Sequence, residues 1–348
     1  MARFIKTLKK TALAASIASL ATVANATIVT SIKPLGFIAS SIADGVTDTE
    51  VLVPAGASPH DYSLKPSDIQ KLQGAELILW VGEDIDAFLD KTLRPMPFKK
   101  VLSIADFAEI GGLLEGEAHD HKHEHDHTHK HDHDHKHDHD HKHDHDHKHD
   151  HAHKHEHDHK HDHEHKHDHA HGHEHDHSTN WHVWYSPEIS KIVATRLATR
   201  LTEAYPEKKE KIAQNLAEFN RTLAEQSEKI KQQLAPVKEK GFYVFHDAYS
   251  YFNNAYGLKQ TGYFTINPLV APGAKTLAKI KQEIKEHKVN CLFAEPQFTP
   301  KVIESLSKGT GVHVGRLDPM GDAVKLGVNS YANFLQYTAD SYFACLSK

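Results

Sequence analysis

The sequence predicts an α/β protein with two lobes, each built on a parallel sheet, joined by one long helix. Short apolar segments alternate with helix-like segments both before and after residues 119–177. Some of them, such as LILWV from Leu77, are apolar at every position, which is typical of strands buried on both faces of a parallel sheet. A segment of about thirty residues from Pro206 has no Gly and no internal Pro, which indicates a single helix between the two halves.

The first 26 residues have the pattern of a secretory signal peptide. A basic head, MARFIKTLKK, precedes an apolar stretch and the small-residue sequence Ala24 to Ala26. The stretch is too short and too rich in Ala, Ser and Thr to persist as a membrane span, and no other segment is apolar enough. We therefore expect cleavage before Thr27 and an unanchored, soluble protein of the periplasm.

The first lobe is predicted over residues 27–205. Its strands are TIVTSI from Thr27, EVLVP from Glu50, ELILWVG from Glu76 and KKVLSI from Lys99. Its helices begin at Pro34 or span Pro66 to Gln73, Ile85 to Leu93 and Pro187 to about Tyr205. Proline fits the first turn of a helix because its missing N–H would have no partner there.

Residues 119–177 form a tract in which every odd-numbered position is histidine, so that 30 of the chain's 35 histidines lie there. The residues between them are mostly Asp, Glu and Lys, so neither face has an apolar surface to bury, and we expect a disordered, solvated loop. Neutral imidazole is a common ligand of transition metals, which predicts several weak, interchangeable metal sites. A functionless spacer is the alternative, but a spacer needs only the solubility that Asp and Lys supply.

Most of the net charge lies in the same tract. Its 17 Asp and Glu against 8 Lys give −9, and since the whole chain has −6, the remainder carries +3. A nearly neutral body argues against nucleic acid or an anionic membrane as a partner.

The linking helix is predicted over residues 206–237 and would be about 45 Å long at 1.5 Å per residue. Its apolar residues recur at intervals of three, four and seven: Ile212, Leu216, Phe219, Leu223, Ile230 and Leu234. We expect this face to lie across both lobes. Coiled-coil dimerisation is the alternative, but the helix is short for it, and a monomer is expected.

The second lobe, residues 238–348, repeats the pattern of the first. Its predicted strands are GFYVF from Gly241, TGYFT, VNCLFA and VHVGRL, and its predicted helices are Ala248 to Tyr256, Thr276 to His287, Pro300 to Lys308 and Ser330 to Leu346. The only two cysteines, Cys291 and Cys345, are predicted to form a disulfide, because an even pair in an oxidising compartment is most simply a staple.

Only five histidines lie outside the tract: His60, His182, His246, His287 and His313. His60 comes in the loop after strand EVLVP, and His246 directly follows strand GFYVF, so both lie at carboxyl ends of strands, where open α/β sheets bind ligands. His182 is bracketed by Trp181 and Trp184, which would exclude water. The other two fit a surface or packed position.

Three convergent imidazoles suit Zn²⁺ in a tetrahedral site that leaves one position for a carboxylate or water. Asp318, after strand VHVGRL, is the first candidate for the fourth neighbour, and Glu295, in FAEPQF, is the second. Either carboxylate could instead cap a nearby helix.

Five motifs carry a family resemblance over nearly the whole mature chain: GASPHDYSLKPSDIQKL, HVWYSPE, FHDAYSYF, FAEPQF and LDPMG. They resemble the motifs of the ZnuA family, the periplasmic zinc-binding components of bacterial zinc ABC importers within the cluster A-I substrate-binding proteins. The resemblance implies two pseudo-symmetric lobes with a zinc site in the cleft, formed by His60 and His182 from the first lobe and His246 from the second. It also implies an inner-membrane ABC permease as partner.

Two positions refine this implication. Manganese-binding relatives tend to have Glu where this chain has His246, so the imidazole favours zinc. Some zinc-binding members use a Glu directly before the first ligand histidine, whereas this chain has Pro59, which leaves Asp318 or water as the fourth ligand.

The leading hypothesis is thus a non-enzymatic protein that captures zinc and delivers it to a permease. A secreted zinc hydrolase is not favoured, because HExxH occurs only inside the alternating histidine tract and not in a helical pattern, and GxSxG does not occur. An exported metal-storage or buffering protein and a manganese-specific relative are the alternatives.

Overall fold

The computed structural model describes residues 27–116, 179–298 and 301–348. The predicted signal peptide (1–26) and histidine tract (119–177) lie outside the described residues. The strands are β1 (Thr27–Thr30), β2 (Asp48–Val51), β3 (Leu77–Trp80), β4 (Val101–Ser103), β5 (Glu115–Gly116), β6 (Thr179–Asn180), β7 (Phe242–His246), β8 (Gln260–Thr265), β9 (Cys291–Ala294) and β10 (His313–Arg316). The α-helices are α1 (Lys33–Ile42), α2 (Pro66–Gly74), α3 (Glu83–Asp86), α4 (Asp90–Leu93), α5 (Pro187–Ala204), α6 (Lys209–Leu234), α7 (Ser250–Tyr256), α8 (Ala274–Lys285), α9 (Lys301–Thr310) and α10 (Ser330–Leu346).

The strands form two four-stranded parallel sheets of the same topology. The first has the order β2-β1-β3-β4, and the second, taken from its other edge, has the order β8-β7-β9-β10. In each, the first strand of the lobe lies inside and its successor lies at one edge. The two pseudo-symmetric parallel-sheet lobes are therefore confirmed, and β5 and β6 add a separate antiparallel ribbon.

Helix starts follow the local chemistry of the sequence. Pro187 is the first residue of α5, and the hydroxyl of Ser186 accepts the N–H of Ile189 at 3.2 Å, which satisfies one of the free donors of the first turn. Pro66 begins α2, where the carboxylate of Asp68 accepts the N–H of Lys65 at 2.9 Å. These caps fix where each helix leaves its loop.

The prediction of one continuous helix from Ile85 to Leu93 is wrong, because the α-helical conformation ends at Asp86 and resumes at Asp90. A 3₁₀ turn separates α3 from α4, and Asp86 has φ −107° and ψ 40°. Its carboxylate bonds back to the first sheet, accepting the N–H of Val81 and the hydroxyl of Ser31, both at 2.8 Å. These bonds join the ends of β1 and β3 and hold Asp86 outside the helical conformation.

Stability should depend on pH through Asp86. Its side chain is fully buried, and burial raises its pKa to about 7 although the hydrogen bonds act in the opposite direction. A pKa above the unfolded value of about 4 means that Asp86 stabilises the fold below pH 4, and that this contribution is lost as pH rises through about 7. We expect Asp86→Asn, which cannot ionise, to gain stability over the wild type at pH 8, at roughly 1.4 kcal/mol per unit of pKa shift.

Urea unfolding of the zinc-free proteins at pH 8 and pH 4 measures this effect, and the gap should close at pH 4. The exposed Asp84→Asn is the matched control. A constant difference between Asp86→Asn and the wild type at both pH values would contradict the prediction.

The helix α6 lies across both lobes, as predicted. Near its start, the side-chain amide of Asn215 donates to the carbonyls of Ile42 and Asp44 at 2.9 and 2.8 Å, and further along, the hydroxyl of Ser227 lies 3.1 Å from that of Tyr256. Its apolar face is buried within the chain at Ile212, Phe219, Leu223, Ile230 and Leu234. This face is therefore not available to a coiled coil.

The last helix, α10, packs against the first. The rings of Phe37 and Phe334 lie 5.2 Å apart between centroids, and the hydroxyl of Ser330 donates to the carbonyl of Phe37 at 3.1 Å. Buried apolar residues of both lobes consequently share one large cluster, and each lobe has a smaller cluster of its own. The boundaries predicted between the lobes at 205 and 238 stay predictions.

The predicted disulfide is confirmed. Cys291 at the start of β9 is bonded to Cys345 near the end of α10, 54 residues later, and both side chains are buried. Closing a loop of this length stabilises the fold by about 4 kcal/mol in the chain-entropy model. Across the three described ranges, none of the helices is both long enough and apolar enough to cross a membrane.

Candidate metal centre

Three of the predicted site residues lie where strands of the second sheet end. His246 is the last residue of β7, Glu295 follows β9 directly, and Asp318 comes two residues after β10. His60 lies in the loop between β2 and α2 of the first lobe. The carboxyl ends of parallel strands meet at one edge, so the topology places the three side chains of the second lobe at the same edge of its sheet.

The second histidine of the first lobe is held by the short ribbon. His182 comes two residues after β6 and precedes a 3₁₀ turn, Val183–Tyr185. The indole of Trp184 lies edge-on to the His182 ring at 5.2 Å between centroids. Both residues are buried, so this aromatic wall shields one side of the imidazole from water.

The structure brings His60, His182 and His246 together. One ring nitrogen of each forms a group whose members all lie within 4.8 Å of one another. The Nε2 atoms of His182 and His246 are 3.2 Å apart, and the His60 ring lies 5.6 and 5.7 Å from the other two between centroids. Two lobes thus contribute to a single group of imidazoles.

Hydrogen bonds on the far side of two rings fix their orientation. Nδ1 of His182 lies 2.7 Å from Oδ1 of Asn180, and Nδ1 of His246 lies 2.7 and 2.8 Å from the two oxygens of Glu295. Since these oxygens accept, each Nδ1 carries the hydrogen, which leaves the lone pair of each Nε2 free. Such outer partners are typical of histidines that bind metals.

The space between the rings is small and largely apolar. The volume open to a water-sized body is about 10 Å³, which is room for roughly one water molecule. The wall includes Pro59, Trp184, Phe298, Pro319 and Met320. A single ion fits this space.

Burial keeps two of the imidazoles neutral. Desolvation, and secondly the nearby His246, lowers the pKa of His60 to about 3. The same causes, with an added contribution from His60, hold the pKa of His182 well below its usual value. Neutral imidazole is the form that binds a metal, so the pair needs no deprotonation at neutral pH.

The structure does not bring Asp318 into the histidine group, although it was the first candidate for the fourth neighbour. Its carboxylate is engaged in its own turn, accepting the N–H groups of Met320 and Asp322 at 3.0 and 2.7 Å, and it also accepts the side-chain amide of Gln297 at 2.7 Å. This turn passes through Gly321 with φ +62°, a conformation that favours glycine. The carboxylate therefore organises a loop.

Glu295, the second candidate, is also outside the group. It lies behind His246 and accepts the hydroxyl of Tyr249 at 3.0 Å. Asn180, which holds His182, was not predicted, since a lone Asn two residues before a histidine has no distinctive signal. The exposed His287 and His313 lie apart from the group, as expected.

Comparisons with known proteins agree with this fold. The family model for the periplasmic zinc-uptake complex component A, ZnuA, matches residues 28–345. The chain is 68% identical over 343 residues to the high-affinity zinc uptake system protein ZnuA of Haemophilus influenzae, covering 99% of both chains, and 43% identical to that of Yersinia pestis, covering 93% of this chain and 92% of the relative. A crystal structure of ZnuA shares the fold with a TM-score of 0.66 at 21% identity, covering 92% of this chain and 99% of that one.

Proposed function

This chain belongs to the ZnuA family of periplasmic zinc-uptake components, and from that premise we propose that it captures Zn²⁺ with His60, His182 and His246 and delivers it to an ABC permease. The observation that carries this proposal is the convergence of three ring nitrogens within 4.8 Å of one another, from both lobes. Zinc is the cargo of such a site. The fourth position of its tetrahedron is taken by water.

The donor set favours zinc over manganese. Manganese prefers carboxylate, carbonyl and water oxygens, whereas imidazole suits zinc. The group contains three imidazoles, and the carboxylate of Glu295 bonds to the far nitrogen of His246. A manganese-specific site is accordingly disfavoured.

A binding protein is favoured over an enzyme by the size of the cavity. A hydrolase needs an open metal position beside a space for its substrate. Here the space between the three rings is about 10 Å³, and the wider groove of about 510 Å³ that reaches Pro59 and His60 lies on the first lobe only. We therefore propose that the ion itself is what the site recognises.

Titration of the mature protein, residues 27–348, tests the function directly. Zinc-free protein is titrated with Zn²⁺ against a chelating dye, and the same titration is repeated in excess Mn²⁺. We expect one tight component per chain that Mn²⁺ does not displace, followed by weaker components. Displacement by Mn²⁺ would indicate the manganese-specific alternative, and weak components alone would indicate metal storage.

We further propose that the mature protein acts as a periplasmic monomer. The leader pattern of residues 1–26 and the family support the compartment. The burial of the apolar face of α6 within the chain supports the monomer. Sedimentation equilibrium should give the mass of one chain with and without zinc.

Asp318→Ala separates a ligand from a residue that organises a loop. We expect it to lower the melting temperature, because the N–H groups of Met320 and Asp322 lose their acceptor, at about 1–3 kcal/mol for each buried group left unpaired. Zinc affinity should fall less than in any of the three histidine variants, since water can hold the fourth position. Dye competition measures the affinity. A loss equal to that of His182→Ala would instead make Asp318 a ligand.

A further inference from the structure

The side chain of Asn180 contacts both segments that carry the buried histidines. Its Oδ1 accepts the backbone N–H of His182 at 3.0 Å and lies 2.7 Å from Nδ1 of the same residue. Its Nδ2 donates to the carbonyl of Asp247 at 2.9 Å and to the hydroxyl of Ser250 at 3.1 Å. One amide group therefore bonds to a ligand-bearing turn of the first lobe and to the residue next to His246 in the second.

Only one orientation of the Asn180 amide satisfies all four of these contacts. The carbonyl oxygen faces two donors, and the NH₂ group faces two acceptors. Asn180 is only 2% exposed, so water does not compete for these partners. A bond of this kind fixes the tautomer of His182 and the plane of its ring.

A separate pair of hydrogen bonds attaches the backbone of the ribbon that carries Asn180 to the second lobe. The hydroxyl of Tyr251, on α7, donates to the backbone carbonyl of Asn180 at 2.6 Å and accepts the N–H of Glu115 on β5 at 3.0 Å. Both strands of the ribbon are thereby attached to the second lobe. The amide then sets the ring of His182 relative to that lobe.

We propose that Asn180 is a positioning residue that sets the Nε2 of His182 opposite the Nε2 of His246 across the two lobes. The 3.2 Å between these atoms is the spacing that it maintains. Asn180 does not touch the metal and acts through His182. This inference rests on the proposed zinc site and names one residue that determines its geometry.

Three variants test it: Asn180→Ala, Asn180→Asp and Tyr251→Phe. The alanine removes both sets of bonds, and the aspartate keeps an oxygen facing His182 but loses the donors to the second lobe. The phenylalanine removes only the two bonds to the ribbon backbone and keeps all four contacts of the Asn180 amide. We expect Asn180→Ala to lower zinc affinity by about 10- to 100-fold, as is typical of outer partners of metal-binding histidines. Asn180→Asp should bind more tightly than Asn180→Ala, and Tyr251→Phe should stay close to the wild type.

Absorption of the Co²⁺-loaded proteins provides a readout that loss of stability alone does not move. At saturating Co²⁺ the visible bands should change in position or intensity in Asn180→Ala and remain native in Tyr251→Phe. A wild type without a tight site would overturn the proposed function. A wild type with a tight site, together with an Asn180→Ala that matches it in affinity and spectrum, would overturn only the role of Asn180. Equal losses in Asn180→Ala and Tyr251→Phe, or an Asn180→Asp no tighter than Asn180→Ala, would overturn it as well.

Discussion

Zinc binding in the cleft should weaken by orders of magnitude when His60, His182 or His246 is replaced singly by alanine. Three imidazoles are the only His, Cys, Asp or Glu side chains of the described residues that group around this space, so the loss of one leaves two protein ligands. Loss of an outer partner alone typically reduces metal affinity by about 10- to 100-fold, and loss of a direct ligand should exceed that. In free energy the expected effect is above about 3 kcal/mol.

Competition with a chelating dye measures this loss, and the exposed His313→Ala is the matched control. It removes an imidazole from the edge strand β10 without touching the group. The histidine tract remains in every variant and contributes equally to the weak components. Equal losses in the control and in the three variants would count against the assignment.

Deletion of residues 119–177 should remove most of the bound zinc and leave one tight site. A segment that its composition predicts to be disordered loses conformational entropy on each binding event, whereas the cleft is already ordered by Asn180 and Glu295. The tract would then serve to capture or buffer zinc when it is scarce. Calorimetric titration of the full mature protein and the deleted protein at pH 7.5 gives both stoichiometries. A deleted protein without a tight site would refute this division of roles.

The same titrations at pH 5.5 separate the two kinds of site further. Histidines of the tract, with the ordinary pKa of about 6.5, should be mostly protonated there and release their metal. Burial holds the pKa of His60 at about 3 and that of His182 well below the ordinary value, so these imidazoles stay neutral. The weak components should therefore disappear before the tight one. An unchanged stoichiometry of the tract at pH 5.5 would contradict this expectation.

The sequence predicts most of the fold because its strands and helices carry local signals. The apolar segment LILWV contains β3, and Pro187 is the first residue of α5. The break after Asp86 was missed because it depends on bonds to Ser31 and Val81, of which the hydroxyl of Ser31 is 55 residues away along the chain. The periodicity of apolar residues along a helix does not reveal a hydrogen bond to a residue so far away in the sequence.

The candidate site was likewise predictable only where local sequence signals exist. Strand ends indicated where His60 and His246 would lie, since the carboxyl edge of a parallel sheet follows from its topology. The sequence did not show that the carboxylate of Asp318 is already engaged. Its oxygens accept the N–H groups of its own turn and the side-chain amide of Gln297, so they do not join the three imidazoles. Asn180 gave no signal either, as its partners Asp247 and Ser250 lie about seventy residues away.

The packing of α10 on α1 affects the order in which the chain can mature. A ribosome releases the N-terminus first, and domains generally fold in that order. Phe37 on α1, however, packs against Phe334, nearly three hundred residues later, and Cys345 near the end of α10 completes the only disulfide of the described residues. The part of the core that includes Phe37 therefore stays incomplete until α10 has been synthesised. Until then α1 keeps apolar surface exposed, to which a chaperone can bind.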